Sequence, residues 1–436
     1  MSNRNFISFP VSSLSEIKQQ VLNWSARFNT CCFLDNQEYR SASHSFECIV
    51  AVGEISRLEA GAGNAFDQLR LFSSKQKDWL FGHFSFDLKS ETEAVASRLP
   101  DYIGFPDLFF FVPEIIVLLD HERLSIGLIR GLHAQVMEEI KNTRVEAVSE
   151  KHEPLSIRQR IKKDEYVSII KKLKEHIYRG DCYEINFCQE FYAENAVIDP
   201  IPLFQVLTRI SPSPFSAYYA INGKYLLCAS PERYLKRKGD MILSQPIKGT
   251  AARDLQNEAH DEKLKQALFD SEKDRAENVM VVDLVRNDLS RICQADTVKV
   301  EELFGIYSFP QVHQMISSIE GRLKEGLGWT EMIEASFPMG SMTGAPKKRV
   351  LELTEQYEKS KRGLFSGAVG YVNPDRDFDF NVVIRSLLYN QAARYLAYFA
   401  GSGITGNSDP EMEYEECMMK ISAMEEILKS PIRVSG

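Results

Sequence analysis

The C-terminal part of the chain carries acidic side chains at a spacing that could bind a cation. Residues 410–429 predict a helix, and Glu413, Glu416 and Lys420 are three and four residues apart on one of its faces. Carboxylates one helical turn apart suit Mg²⁺, which takes a few carboxylate ligands and keeps several waters. Because four further glutamates lie in the same helix, a solvated acidic face is the alternative interpretation.

The segment before this helix, residues 401–409, reads Gly-Ser-Gly-Ile-Thr-Gly-Asn-Ser-Asp. Asp409 is a good N-cap for the helix. The backbone N–H groups of a glycine-rich segment, here Gly401, Ser402 and Gly403, can point toward an anion. We therefore expect a loop that binds an anion next to the acidic helix.

Lys248 follows a predicted strand, residues 241–247, within the sequence Pro-Ile-Lys-Gly-Thr. A lysine in a turn is usually solvated. A lysine that is removed from water can instead lose its proton near neutral pH, and its amine then attacks electrophilic carbon. Both interpretations of Lys248 stay open on this pattern alone.

Three other segments carry polar residues next to apolar runs. Glu232 follows a predicted strand, where burial could raise the pKa of its carboxyl group and make it an acid. Glu277 precedes an apolar helical stretch in which Asp283 and Arg286 suggest a buried structural ion pair. Thr343 lies in a loop of small residues that could hold a carboxylate or hydroxyl group, or could simply turn tightly.

Length and composition limit the classes of function. The 436 residues are 44% hydrophobic and 26% charged, which is typical of globular proteins. The formal net charge of −9 excludes a strongly basic nucleic-acid surface and disfavours binding to anionic membranes. No apolar run is long enough for a membrane helix, and the N-terminus lacks the pattern of a signal peptide. We expect a cytoplasmic protein whose eight cysteines are reduced.

The elements that would position these residues alternate in groups. Strands come in clusters with helices between the clusters, which favours an antiparallel α+β fold over a doubly wound parallel sheet. Residues 134–163, with Glu153-Pro154, predict a connection between two parts of the chain. The predicted strands are residues 48–52, 108–119, 183–191, 216–221, 225–229, 241–247 and 311–320, and the predicted helices are residues 164–177 (capped by Asp164), 257–292 and 410–429.

Five segments, in this order, resemble the chorismate-utilising enzymes, the family that includes the anthranilate, aminodeoxychorismate, isochorismate and salicylate synthases. The resemblance covers residues 164–429. The motifs are S-P-E at 230–232, P-I-K-G-T at 246–250, A-E-N-V-M-V-V-D-L-V-R-N-D-L at 276–289, G-S-M-T-G-A-P-K at 340–347, and G-S-G-I with S-D-P-E-M-E-Y-E-E between 401 and 416.

The resemblance implies an α+β fold of two stacked antiparallel β-sheets flanked by helices, as in anthranilate synthase component I. Residues 1–145 would form the N-terminal part of this unit, and residues 164–430 the chorismate-binding catalytic region. The site would lie in the cleft between the sheets.

The resemblance also implies roles for individual residues. Mg²⁺ would be held by Glu277 and Glu416, with Glu413 close by, and would neutralise the ring carboxylate of chorismate. Arg385 would bind the enolpyruvyl carboxylate. The remaining contacts with the substrate would come from the backbone of Gly401, Ser402 and Gly403, the ammonium of Lys420 and the hydroxyl of Thr343.

Within the family, the third residue of P-I-x-G-T separates two reactions. Members that form anthranilate carry alanine, whereas members that aminate C4 of chorismate carry lysine, which is Lys248 here. The implied reaction is chorismate plus ammonia giving 4-amino-4-deoxychorismate on the route to folate, with Lys248 attacking C2 and Glu232 protonating the leaving hydroxyl. Formation of anthranilate and pyruvate is the alternative reaction within the family. A relative that only binds chorismate is the alternative of a different class, but such a protein would not need a metal site.

Two positions depart from the family pattern. Glu184 lies where hydroxyl-transferring members carry a water-activating lysine and amine-transferring members carry glutamine, so a catalytic role of Glu184 is expected but not defined. Gln314 lies where relatives have histidine. The chain shows no glutaminase motif, so the resemblance implies a separate glutamine amidotransferase subunit that supplies ammonia.

Overall fold

The computed structural model describes residues 4–39, 44–145, 155–309 and 312–429. Glu153 and Pro154 of the predicted connection, and Gln311 at the start of a predicted strand, lie outside the described residues. No helix within the described ranges is both long and apolar enough to cross a membrane.

Short apolar runs form strands because both of their faces are covered. In the strand Cys48–Val52, Ile49 and Ala51 face one hydrophobic core, whereas Cys48, Val50 and Val52 face the other. This period of two is the side-chain geometry of a strand. The described strands, in chain order, are β1 (Asn5–Pro10), β2 (Thr30–Asp35), β3 (Cys48–Val52), β4 (Ser56–Ala60), β5 (Leu80–Phe84), β6 (Leu108–Val112), β7 (Ile115–Leu119), β8 (Arg123–Leu128), β9 (Arg158–Gln159), β10 (Glu184–Ala193), β11 (Phe215–Ile221), β12 (Lys224–Ser230), β13 (Arg233–Lys238), β14 (Met241–Gln245), β15 (Ile247–Ala252), β16 (Lys299–Ser308), β17 (Val312–Arg322), β18 (Gly344–Ala345), β19 (Ala368–Val372), β20 (Phe378–Asn381), β21 (Ser386–Asn390) and β22 (Tyr395–Ile404).

The helices carry an apolar face that packs on these strands. In chain order, the described α-helices are α1 (Leu14–Ser25), α2 (Ala65–Lys75), α3 (Lys89–Thr92), α4 (His133–Lys141), α5 (Lys163–Tyr178), α6 (Pro200–Ile210), α7 (Glu258–Asp270), α8 (Glu272–Ile292), α9 (Trp329–Ser336), α10 (Lys347–Tyr357) and α11 (Pro410–Lys429).

The strands form two antiparallel sheets. The larger sheet runs β1-β8-β7-β3-β2-β11-β12-β21-β22-β10-β18, with β9 beside β10. The smaller sheet runs β15-β17-β14-β13-β20-β19-β5-β6-β4, with β16 beside β17. One core contains residues of both sheets, such as Tyr219 and Phe81, and the other joins the larger sheet to helices that include α5 and α11. These observations confirm two stacked antiparallel sheets flanked by helices.

Strands from the N-terminal third of the chain enter both sheets. In the larger sheet β2 pairs with β11, and in the smaller sheet β5 pairs with β19. Residues 4–145 therefore share their hydrogen bonds and their core with the rest of the chain.

Most predicted elements are present, and the differences have local causes. The run 108–119 is two strands, β6 and β7, interrupted at Pro113, which has no N–H to donate to a ladder. The predicted helix 257–292 is two helices, because the Ser271 hydroxyl accepts from the N–H of Asp274 and starts α8. The predicted connection 134–163 contains most of α4. Asp164 does not cap α5, since the N-cap is Lys162.

A buried ion pair ties the strand that carries Glu184 to the loop that carries Thr343. Arg362 and Glu358 are almost fully buried, and the Arg362 guanidinium lies 2.6 Å from a Glu358 carboxylate oxygen. Arg362 also donates to the carbonyl oxygens of Met342 and Asn186, both at 2.8 Å. The guanidinium therefore fixes the spacing between β10 and the loop before α10.

Replacing Arg362 with methionine should lower the free energy of unfolding by about 3–5 kcal/mol, because the Glu358 carboxylate would stay buried without its charge partner. Urea unfolding followed by circular dichroism measures this loss. The matched control is Arg57→Met, which breaks a half-exposed pair with Glu54 and should cost less than about 1 kcal/mol. Equal losses in the two variants would contradict the structural role of Arg362.

Candidate active site

Three elements bring a lysine between two carboxylates at one end of the cleft. Lys248 of β15 lies with its Nζ 2.9 Å from Oε1 of Glu184, which β10 supplies, and 3.9 Å from Oε2 of Glu277 on α8. The side chains of Lys248 and Glu184 are 11% and 3% exposed. Lys248 is therefore a buried residue within a charged group and not a solvated turn lysine.

Two glycines make room for this group. A Cβ atom on Gly403 of β22 would lie 2.6 Å from Glu184 Oε1 and 3.0 Å from Lys248 Nζ. Gly249 has a φ of +91°, and a Cβ there would meet Asp274 of α8 at 3.0 Å. The irregular register between β15 and β17 at this point turns Lys248 toward α8.

The protonation of Lys248 differs from the alternative in which burial leaves a neutral amine. Burial alone would lower the pKa of Lys248, but the charges of Glu184 and Glu277 and the hydrogen bond to Glu184 outweigh burial and raise it. Lys248 therefore carries a proton when the substrate is absent. To act as a nucleophile it must first give that proton to a neighbouring group.

The carboxylates predicted to hold Mg²⁺ meet between two helices. Glu277 of α8 faces Glu413 and Glu416 of α11, and the ammonium of Lys273 lies among them. Its Nζ is 3.4 Å from Glu413 Oε1, 3.4 Å from Glu416 Oε2 and 3.9 Å from Glu277 Oε1. Lys273 is not among the residues selected from the sequence. Its position four residues before Glu277 on one helix does predict a contact between the two side chains.

The donor set fits a hard cation. Oε2 of Glu413 is buried and has no hydrogen-bond partner among the described residues, which is costly unless a ligand binds there. Among the described residues no three acidic, histidine or cysteine side chains already stand in the arrangement of a metal site. The three carboxylates instead surround the Lys273 ammonium, so a cation that binds them takes the place of that ammonium.

The pKa values of Glu277 and Glu416 are shifted in opposite directions. Burial and the charge of Glu184 raise the pKa of Glu277 to about 7, against the attraction of Lys248. Burial would also raise the pKa of Glu416, but Lys420 and Lys273 lower it to about 2. The Lys420 ammonium lies 2.8 Å from Glu416 Oε1.

Glu232 is a buried carboxyl group with the protonation expected of an acid near neutral pH. Burial raises its pKa to about 7, although Ser341 and the charges of Lys248 and Arg385 act in the opposite direction. This confirms the sequence-based expectation that the Glu232 pKa is raised. The charge of Lys248 acts on the Glu232 carboxyl group, so the two side chains lie near each other.

The guanidinium of Arg385 is partly buried and has no protein counter-ion in direct contact among the described residues. In the described part of the chain no side chain or carbonyl group hydrogen-bonds to it, and burial lowers its pKa. Glu232 is the charge that opposes this shift. A partly buried guanidinium with free donors is suited to bind a carboxylate ligand in a bidentate manner.

The segment 401–404 is part of β22, so the prediction of a loop was wrong here. Residues 401–404 extend an antiparallel ladder in which Gly403 pairs with Asn186 of β10. Ser402 points away from Lys248, toward the hydroxyl of Tyr166 at 3.4 Å. Lys420 donates to the carbonyl oxygen of Gly401 at 3.0 Å and so fastens α11 to this strand.

Thr343 lies at the predicted loop, but its hydroxyl is used locally. It donates to the carbonyl oxygens of Met339 and Gly340 at 3.2 and 3.3 Å. Its own carbonyl oxygen accepts from the N–H of Asn186 at 2.8 Å. In this structure Thr343 therefore holds the loop against β10.

Other sequence candidates lie elsewhere. Asp283 and Arg286 form an ion pair at 2.9 Å, but both side chains are more than half exposed, so the expected buried pair was wrong. His313, the residue directly before Gln314, contacts Asp261 and Ser308. Gln314 is fully buried and neither polar atom of its amide has a hydrogen-bond partner among the described residues.

A separate pocket of about 60 Å³ lies elsewhere between the two sheets. Asp35, His44, Phe215, Tyr371 and Asp379 contribute to its wall, and its described lining residues include none of the predicted site residues. The charged group around Lys248 is thus a distinct site.

Comparisons with known proteins identify the family of the chain. Residues 29–426 match the family model described as chorismate binding enzyme. The chain is 31% identical to aminodeoxychorismate synthase component 1 of Bacillus subtilis (strain 168) over 80% of this chain and 76% of that protein. It is 30% identical to anthranilate synthase component 1 of Aquifex aeolicus (strain VF5) over 79% of this chain and 73% of that protein.

Among solved structures, anthranilate synthase component I from Streptococcus pneumoniae TIGR4 superimposes with a TM-score of 0.77 at 25% identity. The match covers 88% of this chain and 93% of that one. The matched residues, 29–426, include strands of both sheets and the site residues Glu184, Lys248, Glu277, Glu413 and Glu416. The chain therefore belongs to the family of chorismate-binding enzymes.

Proposed function

We propose that this protein aminates chorismate at C4 with ammonia and forms 4-amino-4-deoxychorismate, as an aminodeoxychorismate synthase component 1 for the synthesis of p-aminobenzoate and folate. The observation that carries the proposal is the position of Lys248. Its side chain is buried between Glu184 and Glu277 at the centre of the site, where members that form anthranilate have alanine.

The reaction needs a proton acceptor for Lys248, and Glu184 is the adjacent group. Its Oε1 atom is 2.9 Å from Lys248 Nζ, and its Oε2 atom is buried without a hydrogen-bond partner among the described residues. Transfer of one proton from Lys248 to Glu184 leaves a neutral amine. The role of Glu184 that the sequence left undefined is then that of a base.

The first half of the reaction forms a covalent adduct. The neutral amine of Lys248 attacks C2 of the ring, the two conjugated ring double bonds move from C1–C2 and C5–C6 to C1–C6 and C4–C5, and the C4–O bond breaks. Glu232 gives its proton to the leaving oxygen, which departs as water. A carboxyl group with a pKa near 7 is well matched to this step at neutral pH.

The second half reverses the first with a new nucleophile. Ammonia attacks C4, the two ring double bonds return to C1–C2 and C5–C6, and the C2–N bond to Lys248 breaks. The departing lysine takes up a proton, and the amine at C4 loses one. Two covalent steps of moderate difficulty replace one direct displacement of a poor leaving group.

The two carboxylates of chorismate need separate partners. The unpaired guanidinium of Arg385 supports binding of the enolpyruvyl carboxylate. Glu277, Glu413 and Glu416 would hold Mg²⁺, which supplies positive charge that neutralises the ring carboxylate. In this arrangement Lys420 keeps α11 close to β22, so that the carboxylates of the helix face the cleft.

Formation of anthranilate is the second candidate, because relatives of both kinds match with almost equal identity. The anthranilate synthases among these relatives are named for that product. Identity alone does not separate the two reactions. The side chain at position 248 supports amination at C4, because a buried ammonium at this position has no counterpart in an alanine.

Replacement of Lys248 by arginine tests the nucleophile directly. Arginine keeps the positive charge, but a guanidinium stays protonated and cannot attack carbon, so activity should fall by at least about a thousandfold. Mass spectrometry of the wild-type protein quenched with chorismate in the absence of ammonia should show an adduct at Lys248. The control is Lys238→Arg, an exposed lysine at the end of strand β13 in the same sheet, which should keep normal activity.

Two results would contradict this assignment. Substantial activity of Lys248→Arg without any adduct would make Lys248 an electrostatic residue. Anthranilate as the main product of the wild-type protein, with pyruvate released, would favour the second candidate.

The role of Glu232 predicts a pH dependence. An acid acts only while it is protonated, so kcat should decline as the pH rises through about 7, when the concentration of free ammonia is held constant. Glu232→Gln should lower kcat by about 10²–10⁴-fold and remove this decline. Glu194→Gln, a change at an exposed pair with Arg158, is the control. A decline that persists unchanged in Glu232→Gln would assign it to another group.

The source of ammonia is testable with the isolated chain. We expect it to use ammonium salts but not glutamine, since its relatives are named as one component of a synthase and the sequence carries no glutaminase motif. A glutamine amidotransferase subunit should add glutamine-dependent activity. Product formation from glutamine by the pure chain, detected by chromatography, would refute the separate subunit.

A further inference from the structure

We infer that Lys273 is an internal counter-ion that occupies the cation position between α8 and α11 and competes with Mg²⁺ for it. The inference rests on the metal assignment in the proposed function and extends it to a residue outside the predicted site.

The geometry of the ammonium is that of a shared counter-ion. Lys273 Nζ lies within 3.4–3.9 Å of one oxygen from each of Glu277, Glu413 and Glu416. Glu277 belongs to the same helix as Lys273, and the other two belong to α11. One ammonium therefore neutralises carboxylates on two helices that would otherwise repel each other across the gap.

Lys273 differs from the two other lysines near these carboxylates. The Lys248 side chain is 11% exposed and is fixed by Glu184, whereas that of Lys273 is 53% exposed. Lys420 bonds to the other oxygen of Glu416 and to the carbonyl oxygen of Gly401. Lys273 is the member of this trio that contacts all three carboxylates, and its half-exposed side chain can move into solvent.

Occupation by the ammonium and by a divalent cation exclude each other. A cation bound by all three carboxylates would lie where Nζ now lies, and two positive charges at that distance repel strongly. Doubly charged Mg²⁺ replaces the singly charged ammonium as the counter-ion of the three carboxylates, and the half-exposed side chain of Lys273 can move into solvent. Metal affinity is thus reduced by the free energy that the Lys273 contacts contribute to the metal-free state.

The test is Lys273→Met, which keeps most of the aliphatic stem and removes the charge. Calorimetric titration with MgCl₂ alone, without chorismate, should show binding about tenfold tighter than for the wild-type protein at the same ionic strength. In excess chelator the variant should unfold at a lower temperature than the wild type, and saturating Mg²⁺ should remove that difference. Lys273→Arg, which keeps the charge, should behave like the wild type in both measurements.

The matched control is Lys163→Met. Lys163 also contacts two glutamates of α11, Glu411 and Glu415 at 3.2 and 2.8 Å, but these lie outside the metal group. Its Mg²⁺ affinity should equal that of the wild type. An equal gain in this control would show a general charge effect and overturn the inference, as would unchanged or weaker Mg²⁺ binding by Lys273→Met. If neither the wild type nor Lys273→Met binds Mg²⁺, the metal assignment itself fails together with the competition.

Discussion

The balance of charge at one end of the cleft constrains the rest of the structure. Four carboxylates and three ammonium groups lie together there, and the most buried of them, Glu184, Glu413 and Lys248, would be unfavourable without charged partners. Removing any partner changes the protonation of its neighbours, as the opposite pKa shifts of Glu277 and Glu416 show. The group consists of Glu184, Glu277, Glu413, Glu416, Lys248, Lys273 and Lys420.

This balance is possible because rigid elements hold the charges at fixed spacing. The antiparallel ladder of β10 and β22 places Glu184 beside the Cα of Gly403, with no side chain between them. The buried Arg362 sets the distance from β10 to the neighbouring loop. Arg385 is the one cation of the site that the described protein groups leave without a direct partner, so an anionic substrate completes the pattern.

The sequence predicts local features well and long-range features poorly. The alternating pattern of β3, the start of α11 at Pro410 and the burial of Glu232 all follow from neighbours in the chain. The protonation of Lys248 does not, because its partners come from two distant elements. Lys273 was missed for the same reason, since two of its three carboxylates lie on another helix. The strand conformation of residues 401–404 depends on pairing with β10, which local composition does not reveal.

The mixed origin of the two sheets has a consequence for synthesis of the chain on the ribosome. The edge of β5 that pairs with β19 stays open until residues 368–372 have left the ribosome, and β2 waits in the same way for β11. The phenylalanine-rich strands β5 and β6 are therefore exposed during most of translation. Open strand edges and apolar surface favour association between nascent chains, so the chain is most prone to aggregate before its last strands are made.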